Sequence, residues 1–225
     1  MKLLCDGKTK AVFEAGPGEI LLKFKDQVTG SEGVADPGGN VVIGSLAGKG
    51  GASLRLSRYF FQLLERRAIP THYLKSDLSA NTMLVKRAET FGRGLEFICR
   101  LKAAGSFLRR YGQYVREGEP LDYLVEVTLK DDQRGDPLIN EEALLRLRLI
   151  TPGELARAVE LTGQVTRLVE QECRRAGLEL IDIKLEFGRL GRQVVVIDEI
   201  SGDNMRVYKD GKALDQKQLC ATICG

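Results

Sequence analysis

The sequence predicts an α+β fold, in which β-hairpins and helices are largely segregated along the chain. Two short β-rich runs at 2–14 and 19–25 flank a strong turn signal, Gly16-Pro17-Gly18. A helix with a capping box begins at Thr151-Pro152-Gly153-Glu154, and β-type runs at 179–187 and 193–200 follow it. Few strands alternate with helices in the βαβ manner, which favours α+β over α/β.

The remaining elements follow from turn signals and periodicity. The segment 30–51 contains eight glycines and few large residues, which predicts a long loop. Apolar residues with helical spacing between Leu56 and Leu64 predict a helix that ends before Ile69-Pro70. A shorter helix is expected at 106–111. Further β-type runs lie at 71–75, 82–88, 95–102 and 123–130.

Composition excludes several classes of protein. With 225 residues and 43% hydrophobic residues, the chain is typical of one large or two small globular domains. No apolar run approaches the roughly 18 residues of a membrane span, so a cytoplasmic protein is expected. A net charge of +3 and the absence of Trp do not favour nucleic-acid binding. Five cysteines without a CxxC pair argue against zinc, and the single histidine limits His-based catalysis.

The last hairpin carries the strongest chemical pattern. In the run 181–187 the side chains alternate, so Asp182, Lys184 and Glu186 share the face opposite the apolar residues. The partner strand ends in Asp198-Glu199, and one of these acids is expected beside Glu186. Two carboxylates with a lysine suit a Mg-nucleotide site, because Mg²⁺ is held by carboxylates and phosphates. A solvated polar sheet face is the alternative.

Two other segments could bind anions. Gly7-Lys8-Thr9-Lys10 is a glycine turn with two lysines, but Lys2 in place of a glycine and the strand that follows exclude a Walker A motif. A turn folded over nucleotide phosphates and an exposed charged turn both remain open. The segment from Arg100 to Ser106 brings cations to small residues and a helix start, which suits a phosphate or carboxylate or a tightly packed junction. Arg206 is a further candidate anion contact.

Several short motifs occur together along the chain. In order they are 7–13 (Gly-Lys-Thr-Lys-Ala-Val-Phe), 48–50 (Gly-Lys-Gly), 69–72 (Ile-Pro-Thr-His), 103–106 (Ala-Ala-Gly-Ser), 129–132 (Leu-Lys-Asp-Asp), 135–137 (Gly-Asp-Pro), 184–188 (Lys-Leu-Glu-Phe-Gly) and 198–201 (Asp-Glu-Ile-Ser). This order resembles that of the SAICAR synthetase (phosphoribosylaminoimidazole-succinocarboxamide synthase) family of purine biosynthesis. The resemblance covers nearly the whole chain.

The resemblance implies an ATP- and Mg²⁺-dependent ligase that joins carboxyaminoimidazole ribonucleotide to L-aspartate, releasing ADP and phosphate. It also implies two parts with ATP between them: an N-terminal lobe at 1–88 with an antiparallel sheet, and a C-terminal α+β lobe at 89–225. Small-molecule substrates, rather than nucleic acid or membrane, and a homodimer follow by family analogy.

The resemblance also assigns residues by matching position. Nucleotide contacts would come from Gly7, Lys8, Thr9, Lys10, Val12 and Lys184. Lys184, Glu186 and Asp198 would act in catalysis, the two carboxylates by holding Mg²⁺. Substrate contacts would come from Arg100, Ser106, Arg206 and Glu32.

The sequence departs from the family pattern at several positions expected near the acceptor substrates. Ser53-Leu54 replaces two asparagines, Leu101 replaces the asparagine after an arginine, and Gly202 replaces a proline. A paralogue that acts on another heteroaromatic carboxylate or amine is therefore an alternative. A catalytically silent nucleotide-binding module is a third hypothesis, disfavoured because Lys184, Glu186 and Asp198 are all present.

Overall fold

The computed structural model describes residues 1–31, 33–37 and 39–225 and has α+β architecture. Numbered in chain order, the strands are β1 (Leu3–Asp6), β2 (Lys10–Gly16), β3 (Glu19–Phe24), β4 (Gln27–Ser31), β5 (Val34–Ala35), β6 (Val41–Ser45), β7 (Tyr73–Asp77), β8 (Thr82–Lys86), β9 (Glu89–Thr90), β10 (Leu95–Lys102), β11 (Pro120–Leu129), β12 (Glu179–Leu190), β13 (Gln193–Ile197), β14 (Met205–Lys209) and β15 (Lys212–Ala213). The helices are α1 (Lys49–Arg66), α2 (Ser106–Tyr111), α3 (Glu141–Arg146), α4 (Pro152–Arg175) and α5 (Gln216–Cys224).

Two large antiparallel sheets position the site. Within the described residues, one sheet has the order β1-β2-β3-β8-β7, and the other has the order β11-β10-β12-β14-β15 with β13 and β9 also paired to β12. The first sheet draws on 3–86 and the second on 89–213. This is compatible with the expected lobes at 1–88 and 89–225, although that division stays a prediction.

A backbone bridge joins the two large sheets next to the end of β13. The N–H of His72 donates to the carbonyl of Val196 at 3.0 Å, and the N–H of Val196 donates to the carbonyl of Pro70 at 3.0 Å. The buried His72 ring also lies 3.2 Å from the carbonyl oxygen of Asp198, through Nε2. The residues just after β13 are therefore fixed against the first sheet.

The prediction of a long loop at 30–51 was wrong. A small sheet of order β5-β4-β6 occupies much of this segment, and α1 begins at Lys49. Asp26 caps α1: its carboxylate accepts hydrogen bonds from the N–H groups of Gly48 (3.1 Å) and Gly50 (2.8 Å). Glycine is required at position 50, because a Cβ there would lie 2.9 Å from the carbonyl oxygen of Lys25. The glycines thus permit close packing.

Other predicted elements are confirmed with small shifts in their bounds. The predicted run 2–14 is two strands, β1 and β2, with the Gly7 turn between them. The capping box of Thr151 and Glu154 is present at the start of α4, and Gly177 after the helix has φ 69°. Helix α4 packs against β12, and Val165, Ile183 and Leu185 are fully buried in the same core. Among the described residues, no helix is long and apolar enough to cross a membrane.

Candidate active site

A cavity of about 280 Å³ lies between the two large sheets. Every residue predicted to contact the nucleotide or the metal lines it. From the first sheet these are Gly7, Lys8, Thr9, Lys10 and Val12, and from the second they are Lys184, Glu186 and Asp198. The polar face of β12 is therefore not a solvated sheet surface, because Asp182 and Glu186 are both buried. The alternative of an exposed polar face is excluded.

Glu186 and Asp198 are brought together by the pairing of β12 with β13. Glu186 lies opposite Ile197, the residue before Asp198. Burial raises the pKa of Glu186, Lys130 at 2.5 Å lowers it, and the negative charge of Asp198 raises it again. Burial would also raise the pKa of Asp198, but Lys10 and Lys130 outweigh it and hold that pKa at about 2. Glu186 and Asp198 thus repel one another, and the nearby charges of Lys10 and Lys130 offset that repulsion.

Lys10 is the buried cation nearest to this pair. Its Nζ lies 3.1 Å from a carboxylate oxygen of Asp198 and is also hydrogen-bonded to Glu199. Burial opposes its charge, but Asp198 and Glu199 outweigh burial and raise the pKa of Lys10 above its ordinary value. Asp198 has φ 66°, so strict alternation stops there and both acids reach the lysine. Alternation along the strand predicts only one of them at the site.

Glu96 and Lys130 were not identified as site residues from the sequence. Glu96 on β10 accepts from Lys184 Nζ at 2.6 Å and from the Thr128 hydroxyl at 2.9 Å. Lys130 follows β11 and donates to Glu186. Lys130 belongs to the motif at 129–132, but the motif alone assigns it no role. Glu96 lies opposite Glu186 in the β10–β12 register. The sequence does not show that register, and without it Glu96 cannot be placed at the site.

A second group of buried polar side chains borders the cavity at Asp203. Lys49, which is wholly buried, pairs with Asp203, and the Ser53 hydroxyl donates to the same carboxylate at 3.0 Å. Gln216 of α5 donates to the other oxygen of Asp203 at 3.2 Å. The Gly-Lys-Gly motif thus has a structural reason: it places a lysine side chain inside the protein.

The predicted substrate residues Arg100, Ser106 and Arg206 are also brought together. Arg100 Nη1 lies 3.1 Å and Arg206 Nη1 2.6 Å from the same oxygen of Asp182, and Arg100 Nη2 donates to the Ser106 hydroxyl at 2.9 Å. Arg100 is only 1% exposed and also binds Glu126, so it must exchange a contact to reach a ligand. Glu32 lies outside the described residues.

Arg206 borders a separate cavity of about 610 Å³. The same guanidinium group pairs with Asp36, which lies 3.6 Å from Arg109 as well. Asp36 therefore connects the segment after β5 to Arg206. We call Arg100 and Arg206, which share Asp182, the arginine cluster. Asp182 lies four residues before Glu186 on β12, on the same face of the strand.

The positions that depart from the family pattern divide into two groups. Leu54 is fully buried in the core, and Leu101 lines a different cavity with Tyr123 and Leu178, on the opposite side of β10 from Arg100. Gly202 lines the cavity of Arg206 and packs against Gln216. Leu54 and Leu101 therefore border neither candidate ligand cavity. These two positions give little support to the hypothesis of a paralogue with a different substrate.

A divalent cation fits the chemistry of Glu186 and Asp198. Among the described residues, no group of three or more His, Cys, Asp or Glu side chains forms a complete metal site. Two buried carboxylates that repel one another suit Mg²⁺ when phosphate oxygens and water complete its coordination. The donor set therefore matches a metal bound together with a nucleotide.

Comparison with known proteins identifies the family. A model of the SAICAR synthetase family matches residues 3–220. The chain belongs to the SAICAR synthetase family. It is similar to the phosphoribosylaminoimidazole-succinocarboxamide synthase of Clostridium tetani, with 50% identity over 221 residues that cover 97% of each chain.

Solved structures of this family share the fold. The synthase from Ehrlichia chaffeensis aligns over 97% of this chain and 90% of its own, with 26% identity and a TM-score of 0.85. A SAICAR synthetase solved in complex with ADP aligns over 94% of this chain and 87% of its own, with 29% identity and a TM-score of 0.84. The predicted fold class and family resemblance are thereby confirmed.

Proposed function

We propose that the chain catalyses the ATP-dependent joining of carboxyaminoimidazole ribonucleotide to L-aspartate. The products are SAICAR, ADP and phosphate. The observation that carries the proposal is the cavity between the two sheets, where Lys10, Lys184, Glu186 and Asp198 converge in a chain of this family. A carboxylate does not react with an amine until it is activated, and phosphorylation by ATP supplies that activation.

The nucleotide is assigned to the face formed by β1, β2 and the turn between them. In this assignment, Gly7 and Thr9 bring backbone close to the phosphates while Lys8 and Lys10 supply positive charge. Val12 contributes an apolar wall. Lys184 contacts the nucleotide from β12 and neutralises charge that develops during phosphoryl transfer. ADP bound to a solved relative supports nucleotide use.

Glu186 and Asp198 are assigned to Mg²⁺. Such an ion, when bound, neutralises phosphate charge and polarises the transferred phosphoryl group. Lys10 and Lys130 now lie against these carboxylates, so they are positioned to shift their contacts to phosphate oxygens when nucleotide and metal bind together.

The arginine cluster is assigned to the phosphoribosyl substrate. Arg206 and the Ser106 hydroxyl offer donors to its phosphate, and Arg100 holds both through Asp182 and Ser106. Glu32 keeps its predicted role at the substrate, on family resemblance alone. The lobes 1–88 and 89–225, a cytoplasmic location, and a homodimer that acts on small molecules rather than nucleic acid or membrane belong to the same proposal.

The direct test is release of ADP by the purified protein. We expect turnover only when Mg-ATP, the carboxyaminoimidazole ribonucleotide and L-aspartate are all present, with SAICAR formed in equal amount. Omission of each component in turn is the control. A folded preparation that releases no ADP with all three would overturn the proposal, as would equal turnover when another amine replaces aspartate.

A further inference from the structure

Glu96 is a buried carboxylate that lines the candidate nucleotide cavity and has no role in the proposed function. It is 3% exposed and lies on β10, directly opposite Glu186 in the register of β10 and β12. Residues that lie opposite one another in an antiparallel pair share a face of the sheet, and two like charges in such positions destabilise the fold unless cations compensate them. The nearby lysines therefore determine what Glu96 does.

The two lysines beside these glutamates are divided between them. Lys184 Nζ lies 2.6 Å from Glu96, and Lys130 Nζ lies 2.5 Å from Glu186. Glu186 is only two residues, or about 7 Å, further along β12 than Lys184. Among the residues that the structure describes, Lys184 nevertheless forms its ion pair with Glu96 and not with Glu186. Lys184 thus selects the carboxylate on the neighbouring strand over the one on its own strand.

Glu96 is fixed at both of its carboxylate oxygens. Lys184 Nζ donates to one oxygen at 2.6 Å, and the Thr128 hydroxyl donates to the other at 2.9 Å. Thr128 is itself buried and lies opposite Glu96 on β11. A carboxylate held at both oxygens inside the protein has little freedom to move. Glu96 therefore offers Lys184 a fixed partner.

The ammonium group of Lys184 has three donors, and Glu96 occupies one of them. In the part of the chain that the structure describes, this is the one hydrogen bond that Lys184 Nζ makes. The side chain lines the same cavity as Glu96. An ammonium group anchored in this way presents two donors to phosphate oxygens without turning towards Glu186.

We propose that Glu96 is the positioning residue of Lys184. It holds the ammonium group where that group contacts the phosphates of the nucleotide, and it keeps the group away from Glu186, which is assigned to Mg²⁺. Lys130 needs no such anchor, because its side chain is 45% exposed and exchanges its contact with Glu186 for water at little cost. The proposal rests on the proposed function, because that function assigns Lys184 to the nucleotide.

The test is the affinity for ADP in the presence of Mg²⁺, measured by calorimetric titration, which needs no acceptor substrate. We expect Glu96→Gln to weaken ADP binding about tenfold, because Lys184 loses its anchor and turns to Glu186. Removal of a negative charge beside an anionic ligand would by itself strengthen binding. Unchanged or tighter binding in Glu96→Gln would therefore overturn the proposal.

A double-mutant cycle tests whether Glu96 acts through Lys184. We expect Lys184→Met to weaken ADP binding about 30-fold. In the Lys184→Met protein, Glu96→Gln should add less than about twofold, because the residue that Glu96 positions is gone. Residues that act independently would instead give the product of the two losses, about 300-fold. A double variant weakened to that extent would reject the positioning role.

The ion pair of Glu179 and Lys102 is the matched control. It joins the same two strands, β12 and β10, but lies outside the nucleotide cavity. Glu179→Gln and Lys102→Met should each leave the ADP affinity within about twofold of the native value. Thr128→Val is a second variant for the case in which Glu96→Gln does not fold, since it keeps the charge of Glu96 and removes one anchor. It should weaken ADP binding about threefold, and only while Lys184 is present; an unchanged affinity would count against the proposal.

Ligase turnover separates a failure of this inference from a failure of the proposed function. A native protein that binds ADP with Mg²⁺ but shows no turnover with all three substrates rejects the ligase, while the cycle in ADP binding still reports the role of Glu96. A native protein with full turnover and independent losses in the cycle rejects the role of Glu96 alone.

Discussion

Gly105 leaves the space in which the guanidinium group of Arg206 lies. A Cβ at position 105 would be 2.3 Å from Nη2 of Arg206 and 2.6 Å from its Cζ, closer than atoms can pack. The glycine also has φ 52°, a conformation that disfavours other residues. The family motif Ala-Ala-Gly-Ser therefore determines where the proposed phosphate-binding arginine can lie.

We predict that Gly105→Ala displaces Arg206 and lowers kcat/KM for the phosphoribosyl substrate about 100-fold, which corresponds to about 2.7 kcal/mol. Nucleotide affinity should stay unchanged, because the nucleotide cavity is separate. Steady-state kinetics and ADP titration measure the two effects. Gly118→Ala is the control, since Gly118 also has a positive φ but a Cβ there meets no atom within 4 Å. Equal effects of the two variants would reject the role of Arg206.

The metal assignment predicts that Glu186→Gln or Asp198→Asn lowers kcat by about two orders of magnitude or more. The fold should survive Glu186→Gln, because burial already disfavours the charge of Glu186. Turnover across a Mg²⁺ titration and thermal unfolding measure both points. Glu179→Gln, an exposed carboxylate on the same strand paired with Lys102, should leave turnover within about twofold. Near-native turnover in both site variants would refute the metal pair.

Leu101→Asn separates a structural from a specificity role at that position. Because Leu101 packs against the core behind the arginine cluster, we predict a loss of about 1–2 kcal/mol in the free energy of unfolding. Turnover per folded molecule should be unchanged within about twofold. Denaturant titration and kinetics on the same preparation test this. A shift in substrate preference without loss of stability would instead favour the paralogue hypothesis.

The contacts of Glu154 predict that the free energy of unfolding falls at acid pH. Hydrogen bonds from Arg189 and Thr151 hold the pKa of Glu154 at about 2, although burial opposes them. Because this pKa lies below the ordinary value of 4.5, the stabilisation is complete above pH 4.5 and is lost as the pH falls towards 2. Glu154→Gln should cost about 1 kcal/mol at pH 7, discounted for partial exposure. The free energies of unfolding of the native protein and of Glu154→Gln, measured in urea, should become equal near pH 2. A difference that stays constant with pH would contradict the prediction.

Local sequence patterns were sufficient to predict elements such as β12 and α4. Alternation along β12 correctly separated Ile183 and Leu185 from the acids, and the capping box located the start of α4. Contacts between distant segments were not predictable, because Glu96 joins the site only through the β10–β12 register. Lys49 was missed because glycines beside it suggest a mobile loop, whereas they allow α1 to pack closely. The motif resemblance supplied the remaining site residues.

The spacing of Asp182, Lys184 and Glu186 along β12 fixes the distance between the arginine cluster and the carboxylate of Glu186. Residues four apart in a strand are separated by about 13 Å, so the arginine cluster on Asp182 and the carboxylate of Glu186 define two fixed ends. A ligand that spans both must carry an anionic group at the arginine end and, about 13 Å away, a group that a bound cation can link to Glu186. Selection by length would thus operate before any contact with the imidazole ring itself.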